Sequence, residues 1–362
     1  MKILYLSDAI IPSQAANSVH VVKMCEAFGS LGHEVILVGI KGSSDHDVHS
    51  YYGVSPNFRV LCNGFPRLYG FLFWHAVYSL YWFLKFKPDF VFGRSFFSVW
   101  LVSGFSRNIS FESHDPFHSL PFHFKIAYKR IVNAKSFKRL VVISEALKKI
   151  VLQEINLDQN KVLALHDGAT LHSNDTAIEL PGRKDNLRVG YVGSINKGRG
   201  IELLISAAFR LPDVDFYIVG GTKEDARTKL TILDIPLNMF FCGFVAPSDT
   251  QCYMRACDVL VAPYQPNTQI RSGKNTSGYM SPLKIFEYMA VSKAILSSDL
   301  PVLREVLDED CAVLVDPTDV DKWVEALERL RSTELRDKLA SQAFDKFEKH
   351  YTWKSRAQDI LV

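Results

Sequence analysis

The sequence predicts two α/β domains, each built on a parallel sheet. Three observations lead there: a length of 362 residues, strand-like and helix-like segments that alternate through both halves, and a polar stretch without period at 168–186 between them. A chain of this length exceeds one ordinary domain and suits two of about 150–200 residues. Strands alternating with helices build parallel sheets covered on both faces.

Each element follows from its pattern. In the first half KILYLSDA reads as a strand. His20–Leu31 reads as a helix with Val21, Met24, Cys25 and Phe28 on one face and Gly32 as its stop. EVILVGI is the next strand, followed by a long apolar helix near 66–86. Strands DFVFGRS and ISFESHD come next, then a helix near 121–135, strand RLVVIS and helix EALKKIVLQEI. After the polar stretch LRVGYVGS, FYIVGG, MFFCGF, VLVAPY, AILSS and AVLVDP are strand-like, with helical periods between them in IELLISAAFRL and TQCYMRACD. The segment from Lys338 to the end reads as one or two helices. The resulting boundaries are a first domain over 1–170, a linker over 171–186, a second domain over 187–345 and a C-terminal helix over 346–362. Two such domains on a polar linker imply a cleft, and open α/β sheets bind ligands beyond the carboxyl ends of their strands.

Composition is that of a globular protein, with 48% apolar and 22% charged residues. The net charge of +3 does not argue for nucleic acid. Its distribution is more informative: residues 51–150 hold fourteen Lys/Arg against four Asp/Glu, a surplus of +10. A local basic face suggests an anionic partner or membrane surface. The apolar stretch FLFWHAVYSLYWFL, flanked by Arg67, Lys85 and Lys87, has two readings: contact with a membrane or lipid-linked acceptor, or a helix buried against the sheet. No run reaches the roughly 18 apolar residues of a membrane span. The six cysteines form no CxxC pair or zinc spacing and read as buried free thiols of a reducing, cytoplasmic setting. The apolar N-terminal run is too short for a signal peptide.

The segment SGYMSPLKIFEYMA carries the functional argument. Ser281 is expected to cap a helix and Pro282 to occupy its first position, with Leu283, Phe286 and Ala290 on the buried face. Free amides at a helix start form a phosphate site. Glu287 lies about 7.5 Å along the axis, where a carboxylate accepts hydrogen bonds from the two hydroxyls of a ribose. The plainer alternative is a capped helix with Lys284 and Glu287 paired at i, i+3.

This segment resembles the donor-site signature of the GT-B retaining glycosyltransferases of family 4. In that family two Glu residues separated by seven others mark the site; here the second is Glu287, and Tyr279 stands where the first belongs. The resemblance covers nearly the whole chain. It includes GSINKGRGIELLISAA, in which Arg199 takes the usual Lys position with Lys197 close by, and FYIVGG, FFCGFV, VLVAPY, IPSQAANSVHVVKMCEAF, FESHDP and TWKSRAQDI.

It implies a GT-B fold of two Rossmann-like, doubly wound parallel-sheet domains facing a cleft. The implied activity is transfer of a sugar from a nucleotide-diphosphate sugar to a hydroxyl acceptor, with retention, in glycan, polysaccharide or glycolipid synthesis. Catalytic roles fall to His114, Lys197, Arg199 and Glu287. Donor binding falls to Gly193, Ser194, Gly243, Phe244, Tyr264, Tyr279, Ser281, Pro282, Leu283 and Lys284. An acceptor or phosphate loop falls to Ala16, Asn17 and Ser18, with His20 and Arg94 as further cleft candidates. No cofactor and no metal are implied. Asp-His-Asp at 45–47 lies outside the signature, and Pro116 and Pro121 interrupt the spacing of His114, His118 and His123. The implied partners are the donor and a hydroxyl acceptor, a glycan or lipid-linked sugar, with peripheral association at the inner face of a membrane. Two alternatives remain: a GT-B sugar-nucleotide epimerase, and an inactive GT-B subunit, which Tyr279 motivates. No GxGxxG follows the first strand, which argues against a dehydrogenase.

Overall fold

The computed structural model describes every residue except 44–45, 66–69, 172–175, 233 and 270–272. Asp45, Arg67 and part of the expected linker therefore lie outside the described residues. The chain divides into two compact units. One comprises Met1–Asp167 together with Trp353–Val362, the other Gly168–Thr352. The sequence placed these boundaries at 170, 187 and 345.

In the first unit the elements run β1 (Lys2–Ile11), α1 (Ala16–Ser30), β2 (Glu34–Lys41), α2 (Val48–Tyr52), β3 (Arg59–Asn63), α3 (Phe71–Phe86) and β4 (Phe90–Gly93). They continue with α4 (Phe96–Ser103), β5 (Ile109–Ser113), α5 (Phe122–Val132), β6 (Phe137–Val142), α6 (Glu145–Glu154) and β7 (Val162–Ala164). The second unit holds β8 (Leu187–Val192), α7 (Ile201–Arg210), β9 (Val214–Val219), α8 (Lys223–Leu230), β10 (Met239–Gly243), α9 (Thr250–Ala256) and β11 (Val259–Ala262). It ends with α10 (Leu283–Ala290), β12 (Ala294–Ser298), β13 (Val313–Val315), α11 (Val320–Arg329) and α12 (Thr333–His350). The last helix, α13 (Trp353–Leu361), belongs to the first unit.

The strand orders are β3-β2-β1-β4-β5-β6-β7 and β10-β9-β8-β11-β12-β13. The paired strands run parallel in both sheets. Each order reverses once, between β1 and β4 and between β8 and β11, as in doubly wound folds that bind ligands at that switch point. Burial on both faces explains the nearly unbroken apolar runs of these strands. Ile3, Leu4, Tyr5 and Leu6 of β1 are all fully buried. In the second unit Val189, Phe216, Val259 and Leu296 of four strands share one core with Leu204 of α7 and Trp323 of α11.

Several sequence expectations shift. α1 starts at Ala16, so Ala16, Asn17 and Ser18 form its first turn and not a loop. Ser18 is tied there: its hydroxyl donates to the Ala15 carbonyl at 2.7 Å and accepts from Tyr52 at 2.8 Å. Ser281 does not cap α10. Pro282 holds the N-cap position in extended backbone, and Leu283 is the first helical residue. Leu283 is half-buried, and the fully covered positions are Lys284, Ile285, Phe286, Tyr288, Met289 and Ala290. Helix α4 was not separated by sequence because FFSVWLVS has no polar face. Cys25, Cys257 and Cys311 are buried, whereas Cys62, Cys242 and Cys252 are half-exposed.

Two glycines fix the turn between β8 and α7. Gly198 and Gly200 have φ of 81° and 77°, and a Cβ on Gly200 would sit 1.9 Å from the Pro263 carbonyl oxygen. The turn is held by the Gln265 amide and the Thr268 hydroxyl, both donating to the Gly198 carbonyl at 3.0 Å. Gly200→Ala combines left-handed strain with a backbone clash, a cost of about 1–3 kcal/mol. It should lower the melting temperature by several degrees, on the order of 3–8 °C. Gly278→Ala, at a position with open space around it, should leave it unchanged. Equal melting temperatures for both variants would contradict this role.

Candidate functional site

In the second unit, residues from three segments converge at the carboxyl ends of β8 and β11. Gly193 directly follows β8 with φ 150°, and a Cβ there would lie 2.8 Å from Lys284 Nζ. The missing side chain therefore makes room for the ammonium. Lys284 is only 8% exposed. Its Nζ lies 3.7 Å from the ring centre of Tyr191 and 5.0 Å from that of Tyr264. Arg199 covers the Tyr264 ring at 5.2 Å. Such cation–π contacts gain strength when water is excluded. Burial, reinforced by Arg199, pushes the Lys284 amine well below its usual range, while Glu287 acts in the opposite direction.

Tyr288 anchors this arrangement. It accepts from the Val192 amide at 2.9 Å and donates to the Val261 carbonyl at 3.3 Å, tying α10 to both strands at the switch point. The neighbouring strand ends approach closely as well. The Gly220 amide donates to the Gly243 carbonyl at 2.7 Å, and a Cβ on Gly220 would meet the Gly193 carbonyl oxygen at 2.3 Å. Phe244 is exposed just beyond Gly243. Ser194 is exposed, and its carbonyl accepts from the Tyr191 hydroxyl at 2.9 Å. Tyr279 and Ser281 are buried and Pro282 is half-buried, while Lys274 lies 6.0 Å over the Tyr279 ring. Lys197 is exposed on the turn, so the second cation beside Arg199 is Lys284.

The first unit holds a second cluster, centred on Glu112 of β5. One carboxylate oxygen faces His114 Nε2 at 2.5 Å, His20 Nε2 at 2.9 Å and Arg356 Nη2 at 3.1 Å. His20 of α1 also reaches Asp167 at 2.8 Å and packs edge-on against Trp353 at 5.1 Å. Arg356 of α13 donates further to the His166 carbonyl at 2.9 Å. Burial alone would raise the Glu112 carboxyl, but Arg356, His20 and His114 hold it well below the usual range. His114 is pushed down to about 4, chiefly by burial and then by Arg94. A carboxylate only accepts, so neutral His114 carries its proton on Nε2 and leaves Nδ1 as an acceptor. His20 is 1% exposed and acts as a strut rather than an open cleft group. Arg94 follows β4 at the other switch point; its Nη1 is buried without a hydrogen-bond partner.

His20, Glu112 and His114 offer three donor atoms within 4.8 Å of one another. They suit a cation poorly, because the Arg356 guanidinium already sits on the same Glu112 oxygen. His118 pairs with Glu154 and His123 stacks on Phe97, so these two do not join His114. Sequence reasoning missed Tyr191, Tyr288, Glu112, Asp167 and Arg356. The available signal for Glu112 was a lone carboxylate in the middle of a strand buried along its whole length.

The depressed His114 value has a consequence for stability. A folded value near 4, below the ordinary 6.5, favours the neutral form. Its contribution is complete above 6.5 and is lost as pH falls through 4, with a ceiling of about 3 kcal/mol. The melting temperature should fall across that window, and His114→Asn should flatten the slope there. An unchanged slope would contradict the assignment.

Comparison with known proteins follows the same two units. The family described as Glycosyltransferase Family 4 matches residues 18–172, and Glycosyl transferases group 1 matches 186–333. A Bacillus subtilis (strain 168) relative, TuaH, named as a glycosyltransferase of teichuronic acid biosynthesis, is 24% identical over 164 residues, 44% of this chain and 39% of the relative. The phosphatidyl-myo-inositol mannosyltransferase of Mycolicibacterium smegmatis is 27% identical over 230 residues, 61% of this chain and 55% of the relative. The chain thus spans about half the length or less of these two relatives. Among solved structures, sucrose-phosphate synthase from Thermosynechococcus elongatus superposes with a TM-score of 0.76 at 18% identity, over 99% of this chain and 97% of the other. Anabaena HepE in complex with UDP-glucose gives 0.71 at 15% identity, over 100% and 99%. The structural likenesses bear out the GT-B fold class. Residues 18–172 are thus similar to Glycosyltransferase Family 4, and residues 186–333 to Glycosyl transferases group 1.

Proposed function

We propose that the chain transfers a sugar from a nucleotide-diphosphate sugar to a hydroxyl acceptor, with retention at the anomeric carbon. The observation that carries this reading is the pair Arg199 and Lys284, two cations on the faces of Tyr264 and Tyr191 at a sheet switch point. When the bond between the anomeric carbon and the diphosphate breaks, negative charge grows on the leaving phosphate. Two desolvated cations stabilise that charge more than the ground state, which accelerates the step. The first amides of α10 bind the diphosphate, and Glu287, one turn further on, accepts from the ribose hydroxyls. The new bond joins the anomeric carbon to the acceptor oxygen, and the acceptor proton passes to the leaving phosphate. His114, with Nδ1 free to accept, is assigned to a hydroxyl of the donor sugar.

No metal enters this scheme, because Arg199 and Lys284 supply the positive charge. Relatives named for teichuronic acid biosynthesis and for phosphatidyl-myo-inositol mannosyl transfer support a glycan or lipid-linked acceptor, used by a cytoplasmic enzyme bound peripherally at the inner face of a membrane. Among the described residues no helix is long and apolar enough to cross one.

Lys284→Met separates binding from folding. Removing a buried cation while keeping its volume should leave the ligand-free melting temperature equal or higher. The thermal stabilisation given by UDP-glucose or GDP-mannose should weaken to match a loss of roughly 10–100-fold in affinity. Unchanged stabilisation by whichever donor binds the native chain would refute the assignment.

A further inference from the structure

Helix α3 is apolar on both faces. His75, Ala76, Ser79, Phe83 and Phe86 turn inward. Phe73, Val77, Tyr81 and Leu84 follow at i, i+4, i+8 and i+11, a single helical stripe, and all four are 36–61% exposed. A surface helix ordinarily carries polar residues on that side.

The stripe is part of a larger face. α4 is joined to α3 through the Ser79 hydroxyl, which donates to Ser98 at 3.0 Å, and adds exposed Trp100. α5 adds Phe122, 78% exposed. Ring contacts from Trp100 to Phe97 at 6.4 Å and from Phe97 to His123 at 6.0 Å carry the aromatic surface from α4 to α5. Of the sixteen exposed large apolar side chains among the described residues, ten lie between Phe65 and Ile126. Such clustering marks an interaction surface, whereas single exposed apolar residues do not.

Charge identifies the occupant. The same helices carry Lys85, Lys125 and Lys129, and Lys87 caps α3, all within the hundred residues whose surplus is +10. Lys85 lies over the rings of Tyr81 and Trp82 at 5.7 and 4.9 Å, so cation and aromatic surface are interleaved. Protein–protein interfaces are depleted in lysine. An apolar stripe rich in Phe, Trp and Tyr and edged with lysine suits the boundary between acyl chains and anionic headgroups.

We propose that this face of the first unit docks on an anionic lipid bilayer, with α3 lying in the interface and the lysines against lipid phosphates. This rests on the lipid-linked acceptor proposed above and names the surface that would meet it.

The test is sedimentation of the full chain with phosphatidylglycerol–phosphatidylcholine vesicles and with phosphatidylcholine alone, at low and high salt. The native chain should pellet with the anionic vesicles at low salt, and high salt should weaken this. Phe73→Ser/Leu84→Ser should lower the partition at least about tenfold, and Lys85→Glu/Lys87→Glu should lower it for anionic vesicles. A native chain that stays in the supernatant, or a serine pair that binds as well as native, overturns the proposal. So does a lipid-free dimer, seen by analytical ultracentrifugation, that the serine pair dissolves. Melting temperature and donor stabilisation are measured on the same variants. Lost docking with donor binding intact confirms this face. In the native chain, absent docking beside intact donor binding sinks this proposal alone, and absent donor binding beside intact docking sinks only the transferase reading.

Discussion

The buried ammonium of Lys284 sets the terms for the second unit. A cation taken out of water is costly, and it persists only where neighbouring groups replace its hydration. Here the faces of Tyr191 and Tyr264 and the field of Glu287 do so only in part, and burial with Arg199 nearby holds the amine well below its usual range. The surrounding geometry follows from this requirement. Gly193 lacks the Cβ that would strike Nζ, and Tyr288 holds α10 to β8 and β11. Gly198 and Gly200 let the Arg199 turn press against the loop after β11. With Arg199 beside it, the site concentrates positive charge that an anion relieves. In the proposed reaction that anion is a diphosphate, which becomes more negative as its bond to a sugar breaks.

The first unit solves a related problem with opposite sign. Glu112 is a carboxylate inside a fully buried strand, and it is matched by His20 of α1, Arg356 of α13 and His114 just past its own strand. Removing any partner would leave charge exposed to a poor dielectric, which is why buried pairs are expensive to break. The cluster therefore does two jobs. It fastens α13 through Arg356 and Trp353, and it fixes the tautomer of His114 so that Nδ1 is left as an acceptor. The chain crosses twice between its units, and the two crossings are pinned within the second unit by the Ala169 amide, which donates to the Tyr351 carbonyl at 3.0 Å.

Much of the fold was legible because parallel strands buried on both faces leave long apolar runs, as in KILYL and VLVA. Short elements without a polar face, such as α4, left no period to read. The start of α1 was missed because its first turn is small and polar, and Ser18 is spent on Tyr52 rather than on a cap. At the candidate site, the signature segment and Arg199 were legible because their residue types match their proposed chemistry. The partnership of Lys284 with Tyr191 was not, because it joins residues 93 positions apart whose contact depends on a glycine between strand and turn. Glu112 and Arg356 were hidden for the same reason: a buried ion network is a three-dimensional fact, and each member looks ordinary alone.

The most direct test of the central claim is proton linkage at Lys284. UDP is titrated into the protein at alkaline pH by calorimetry, in two buffers of different ionisation enthalpy. An amine held well below its usual range should regain its proton when a diphosphate arrives, so binding should take up protons, and Lys284→Met should abolish the uptake. Binding without proton uptake, or the same uptake in the variant, would contradict the account.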